Sequence, residues 1–162
     1  MKADILACYG GTTLLDKIIS KVVGSNITHV VIDLGDGLVG DTGWTGVQIT
    51  QLKNRNGQYV TLRYPELTIY QATKVIDYIK DSIGIGYDFP QLLSIFFFKV
   101  FGKKLFEDDK KKFICVELAI EAYNSVGIDI VPHITEKDMI APSDLLNSPA
   151  LTIIGEYNEI FK

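Results

Sequence analysis

The chain is poor in the residues that carry disulfide and metal chemistry: among 162 residues there are two cysteines, Cys8 and Cys115, and two histidines, His29 and His133. Two cysteines close at most one bridge. No Cys/His group has the repeated close spacing of a structural zinc site. A disulfide scaffold is therefore not expected, a reducing environment fits best, and the reading calls for no metal and no cofactor. A metal site built from His29, His133 and a cysteine has no ligand pair at helical or hairpin spacing, and His133, next to Pro132, reads as a surface loop residue.

An excess of positive charge is also missing. The formal net charge is −4 and the isoelectric point lies near 5.1. The Lys-rich stretch from Lys103 to Lys112 is broken by Glu107, Asp108 and Asp109, and no segment interleaves aromatic residues with arginine. These absences exclude nucleic acid as an expected partner. Long apolar runs are lacking too: the longest, Leu92 to Phe98, is far shorter than the roughly 20 residues of a membrane span. Phe96, Phe97, Phe98 and Phe101 between lysines suit contact at a bilayer surface, although a buried helix is the commoner meaning of such a cluster. The opening Met1 to Cys8 has the outline of a lipoprotein cleavage box, but Asp4 interrupts it and the run is too short for an export signal. A cytoplasmic location is the expectation, with release by other routes left open.

What is present is an ordinary globular composition, 47% hydrophobic and 22% charged, in a length that suits one domain over residues 1–162 with one substantial core. Asp4 to Cys8 reads as a strand, and Leu14, Leu15, Ile18, Ile19 and Val22 have helical spacing. Four short β-rich runs follow, Thr28 to Leu34, Leu38 to Thr42, Gly46 to Leu52 and Gln58 to Tyr64, separated by Gly- and Asn-containing turns, and they suggest an antiparallel meander. Helices are expected over Thr68 to Ile83, over Pro90 to Phe101, and from near Lys111 to before Gly127. Pro142-Ser143-Asp144 resembles the cap of a short helix, and Leu151 to Ile154 suggests a last strand.

Two of these elements carry reactive side chains. A thiol attacks as the thiolate, so a nucleophilic cysteine needs a helix N-terminus or an imidazolium to favour its charge. Cys115, near the start of the third helix, has the first; the bland alternative is a small buried apolar residue. In the strand from Thr28, alternation puts His29, Val31 and Asp33 on one face and Val30, Ile32 and Leu34 on the other. A histidine base works best with a third group that holds its ring. If Gly35-Asp36-Gly37 is a three-residue loop, Val31 lies opposite Asp41, which becomes a diagonal neighbour of His29. A two-residue loop pairs Ile32 with Asp41 and turns the carboxylate to the other face, leaving Asp33 as the fallback. Glu117 points to another side of its helix from Cys115 and suits packing or capping.

The string His29-Val30-Val31-Ile32-Asp33-Leu34-Gly35-Asp36-Gly37, with Gly40-Asp41-Thr42 and Gly46-Val47 after it, resembles the histidine strand and following hairpin of the NlpC/P60 superfamily of papain-like enzymes. In the usual members the cysteine helix comes first. Here Phe113-Ile114-Cys115-Val116-Glu117-Leu118 comes after the histidine, which is similar to the circularly permuted, YiiX-like branch that includes relatives of lecithin retinol acyltransferase. Ala3-Asp4-Ile5-Leu6, Ser25 to Thr28, Gly86-Tyr87-Asp88 and Pro142-Ser143-Asp144-Leu145 extend the likeness over nearly the whole chain.

The resemblance implies an α+β fold, an antiparallel sheet or half-barrel packed against helices. It implies Cys115 as nucleophile, His29 as base, Asp41 as the orienting group and Tyr87 as a lining residue of the substrate cleft. The activity it implies is hydrolysis of an amide or ester in a small-molecule, peptide, glycopeptide or lipid substrate, with acyl transfer as a variant. Ile114 and Val116 stand where peptidases of the unpermuted branch have Asp and Ser, so recognition of a free amino end is not expected. A non-catalytic lipid- or glycan-binding module on the same fold is the rival from another class. The oligomeric state is left open by the sequence.

Overall fold

A computed structural model of the chain describes residues 2–10, 20, 24–43, 45–54, 58–86, 88, 90, 112–135 and 140–158. The helices expected over residues 14–22 and 90–101, together with the phenylalanine and lysine clusters, lie outside the described residues but for Ser20, Pro90 and Lys112. Among the described residues no helix is long and apolar enough to cross a membrane.

Six antiparallel strands form one sheet: β1 Ile5–Tyr9, β2 Ile27–Gly35, β3 Leu38–Gly43, β4 Gly46–Gln51, β5 Gln58–Arg63 and β6 Thr152–Asn158, in the order β4-β3-β2-β1-β5-β6. Two α-helices are described, α1 Ile69–Asp81 and α2 Cys115–Asn124, with 3₁₀ turns at Leu52–Asn54 and Pro142–Asn147. The architecture is α+β. The expected meander holds for β2, β3 and β4 and then breaks, because β5 pairs with β1 rather than with β4. The reason lies in β1, where Ile5, Leu6, Ala7 and Cys8 are all buried, which suits a central strand with neighbours on both edges. The last strand is also longer than expected, and it extends the sheet along β5.

The faces of the sheet are unequal. On one face Ile5, Ala7, Val30, Ile32, Val60 and Leu62 join the core with Val75 and Ile79 of α1 and Val116, Ala119 and Tyr123 of α2. The other carries a smaller cluster of Leu6, Cys8, Val31 and Val39, flanked by Leu52 and Tyr59. Helix α1 buries Ala72, Val75 and Ile79 at helical spacing and begins with a full capping box, in which Gln71 N–H donates to Thr68 Oγ1 and Thr68 N–H donates to Gln71 Oε1. It approaches β3 so closely that a Cβ on Gly40 would collide with Ile79 Cγ2. After α1 the chain runs along β4, with Val47 N–H donating to Ile85 C=O and Gly84 N–H to Val47 C=O. It then meets the approach to α2, where Phe113 N–H donates to Gly86 C=O and Asp88 N–H to Phe113 C=O.

This last contact corrects the expected start of the cysteine helix. Phe113 is held in an extended bridge, Ile114 is the N-cap with extended φ and ψ of −89° and 166°, and α2 begins at Cys115 itself rather than near Lys111. At the far end of the sheet, Asp4 takes a two-point hold from Arg63 of β5, and Tyr123 Oη donates to Ala3 C=O at 2.6 Å. These bonds tie the start of β1 to β5 and to α2.

Candidate active site

The site is assembled where β2 and β3 part. The hairpin between them has a two-residue turn, Asp36-Gly37, with φ of 56° and 74°, the left-handed pair that a tight hairpin favours. A plain turn of that length would put Asp41 opposite Ile32, on the wrong face. It does not, because a bulge between Asp33 and Gly35 takes up one residue: Gly35 pairs with Leu38, yet Ile32 pairs with Gly40. Continued by one residue, that register sets Asp41 across from Val31. The expected three-residue loop is thus corrected to a two-residue turn plus a bulge, and the facing of Asp41 is the same. Asp33, the fallback partner for His29, is occupied elsewhere, since its carboxylate accepts Gly35 N–H at 2.8 Å and closes the bulge.

His29 and Asp41 meet at 2.6 Å, Nε2 to Oδ1. The carboxylate is buried, with 1% of its side chain exposed, whereas the ring keeps 20%. A carboxylate only accepts, so Nε2 carries a proton, and Nδ1 is left to face the thiol, an acceptor when the ring is neutral and a donor when it is charged. Thr50 on β4 adds a long contact from Oγ1 to Asp41 Oδ2 at 3.5 Å.

Cys115 reaches the same ring from α2. Asp33 directs both its backbone groups toward β1, where Asp33 N–H donates to Asp4 C=O and Asp33 C=O accepts from Ala3. Strand alternation then turns Ile32 and Val30 toward β3. The last pair of the β2–β3 ladder is Ile32 with Gly40, and beyond it the Val30 backbone N–H is one of the groups that favour the Cys115 thiolate. Burial disfavours the thiolate, but the charge on His29, a hydrogen bond from its ring, and the Val30 and Val116 backbone N–H groups outweigh burial and hold the thiol below its ordinary value. The residue is 8% exposed. As the first residue of α2 it sits where the helix dipole helps most.

Sequence reasoning reached His29, Asp41 and Cys115, and the structure brings these three together. It did not reach the Val30 N–H, which is a backbone group set by the parting of two strands, with no side-chain signal to read. Tyr87 lies outside the described residues, while its neighbours Gly86 and Asp88 both bond to Phe113, two residues before Cys115. Glu117 caps α2, its Oε2 accepting Ile114 N–H at 3.0 Å. His133 is exposed. Ile114 and Val116 are buried in the core, 2% and 0% exposed, so neither offers a polar group beside the thiol. The second thiol, Cys8, is the cross-strand partner of His29, is 4% exposed, and donates weakly to Leu6 C=O at 3.6 Å.

The α+β sheet, with a cysteine at a helix start facing a carboxylate-backed histidine on an earlier strand, defines a class of arrangement that comparison with known proteins narrows. No family model matches the chain. The probable lipoprotein peptidase YaeF of Escherichia coli (strain K12) is 27% identical over 154 residues, a match that covers 76% of this chain and 54% of YaeF, so the chain spans about half the length of that relative. The crystal structure of metalloprotein YiiX from Escherichia coli O157:H7 has a TM-score of 0.71 to this chain, covering 96% of it and 97% of YiiX at 17% identity. The fold is that of YiiX, and in sequence the chain is similar to YaeF. Among the described residues no group of three or more His, Cys, Asp or Glu side chains is placed to hold a metal ion.

Proposed function

We propose that this chain is a papain-like cysteine hydrolase that cleaves an amide or ester bond through an acyl-enzyme on Cys115. The observation that carries the reading is the thiol itself: nearly buried, yet held below its ordinary pKa by the His29 ring and two backbone N–H groups. A structural cysteine in the same degree of burial has its thiol pushed up instead. The relationship to a probable lipoprotein peptidase supports hydrolysis and favours a peptide or lipoprotein substrate.

The chemistry follows from the arrangement. His29 Nδ1 takes the Cys115 proton while Asp41 steadies the imidazolium through Nε2–H. The thiolate attacks the acyl carbon, and the charge that develops on the carbonyl oxygen meets a backbone N–H at the start of α2. Ile114 N–H is already taken by Glu117 and that of Val116 favours the sulfur, which leaves the Cys115 N–H. His29 then returns its proton to the departing amine or alcohol as the thioester forms. Water attacks that thioester with His29 again as base, releasing the acid and restoring the thiol.

The test is competitive labelling of the full chain with a limiting amount of iodoacetamide near pH 6.5, followed by peptide mapping. Cys115 is expected to label at least tenfold faster than Cys8, and its rate to follow a single titration below that of a free thiol. Equal labelling of the two cysteines would overturn the proposal.

A further inference from the structure

Three helix starts are described in detail, and they are capped differently. At α1 the N-cap Thr68 accepts Gln71 N–H while Gln71 accepts Thr68 N–H, so both halves of the capping box are made. At α2 the N-cap is Ile114, which has no side-chain oxygen, and one half alone is made: Glu117 Oε2 accepts Ile114 N–H. The 3₁₀ helix from Pro142 repeats the half box, with Asp144 Oδ2 accepting Ala141 N–H at 2.8 Å behind an N-cap alanine.

The missing half at α2 has a chemical consequence. An N-cap Ser, Thr, Asp or Asn accepts the N–H of the second or third helical residue. Here the second helical residue is Val116, whose N–H is one of the groups that favour the Cys115 thiolate. A polar N-cap would compete with the thiolate for that donor, and an apolar one cannot. The entry to the helix still has to be held, because Cys115 is its first residue and its sulfur must meet both Val30 N–H and the His29 ring. Glu117 supplies the hold from the other direction: it takes an N–H that lies outside the helix and leaves the first-turn donors to the sulfur.

We propose that Glu117 is a positioning residue for Cys115, a half capping box that fixes the nucleophile at the helix start without consuming the N–H groups the nucleophile uses. The inference rests on the reading of Cys115 as the nucleophile. It extends that reading by giving Glu117 a part in the reaction beyond helix stability, exerted through its hold on Ile114 N–H.

The experiment measures the rate of Cys115 alkylation by iodoacetamide from pH 4 to 10 in the wild type, Glu117→Gln, Glu117→Ala and Asp144→Ala, with urea unfolding of each. The glutamine amide oxygen still accepts Ile114 N–H, so Glu117→Gln should keep the wild-type profile to within about twofold at every pH. Glu117→Ala should move the profile toward higher pH and lower the rate near pH 6 by about threefold to tenfold, the range that loss of a cap interaction allows. Asp144→Ala removes the same kind of half box at a helix with no thiol, so it should lose comparable stability and leave the profile in place. If Glu117→Ala has the same profile as Glu117→Gln, or Asp144→Ala shifts the profile equally, Glu117 is a cap and nothing more. If wild-type Cys115 itself reacts like a free thiol, it is the hydrolase reading that fails, and the two failures are distinct.

Discussion

Asp4 and Asp41 stand on the same sheet, are buried to nearly the same degree at 2% and 1% exposed, and each meets a nitrogen at 2.6 Å. Their partners set them apart. Asp4 is gripped at two points by Arg63, Nε to Oδ1 at 2.9 Å and Nη2 to Oδ2 at 2.6 Å, and a guanidinium neither gives up its proton nor has a lone pair to offer elsewhere. That pair is a strut between β1 and β5, with the Tyr123 bond to Ala3 beside it. Asp41 instead holds an imidazole, whose second nitrogen is left to work on a thiol. The same anion in the same burial therefore supports stability in one place and proton transfer in the other, and the cation decides which.

The largest effect that separates the two is expected from Asp41→Asn. An amide can face Nε2 with either its oxygen or its NH₂ group, and the second choice forces the ring into the tautomer that has no acceptor for the Cys115 proton. The acylation rate with an activated ester such as p-nitrophenyl acetate should drop by about 10²–10⁴-fold. Unfolding free energy should change little by comparison. A variant with near wild-type acylation would make Asp41 a second strut and dissolve the contrast.

Arg63→Ala should do the reverse. It takes the guanidinium away from a buried carboxylate, and breaking a buried pair from one side costs about 3–5 kcal/mol, here toward the lower end because the Arg63 side chain is 30% exposed. Urea denaturation reads this directly. Alkylation of Cys115 in the folded variant should stay within a few-fold of wild type, since the pair sits beside the start of β1 and the thiol at the parting of β2 and β3. A variant that keeps its stability while losing thiol reactivity would invert the assignment.

How much of this was legible beforehand differs between the two carboxylates. Asp41 could be reached because alternation along His29, Val31 and Asp33 is a local property, and hairpin geometry carries it to the next strand. The route was inexact: the turn is shorter than supposed, and the bulge closed by Asp33 and Gly35 restores the register. An acid two residues before a glycine N–H is a weak local sign of such a closure. Asp4 and Arg63 lie 59 residues apart in sequence, and nothing in either segment announces the pairing of β1 with β5 on which their meeting depends. The start of α2 at Cys115 was hidden for the same reason, since the bridge from Phe113 to Gly86 and Asp88 holds the chain extended up to the N-cap.

The smallest effect sharpens the contrast through pH. Burial alone would raise the Asp4 pKa, but the Arg63 hydrogen bonds, the positively charged chain terminus and the Arg63 charge together outweigh it and hold the carboxyl below its ordinary value. A depressed folded value means that the unfolded chain binds the proton more readily, so the stability this residue contributes is complete above the ordinary carboxylate range and drains as pH falls through the folded value. The Cys115 thiol is depressed as well, so by the same sign rule its contribution appears at alkaline pH and is absent at acid pH. Of these two groups, Asp4 alone should therefore register in acid. Urea midpoints measured from pH 6 down to pH 2.5 should fall less steeply for Asp4→Asn than for the wild type, while Cys115→Ala should run parallel to the wild type throughout. A wild-type slope in Asp4→Asn would mean that the Arg63 pair carries no net charge stabilisation and holds the strands by shape and hydrogen bonding alone.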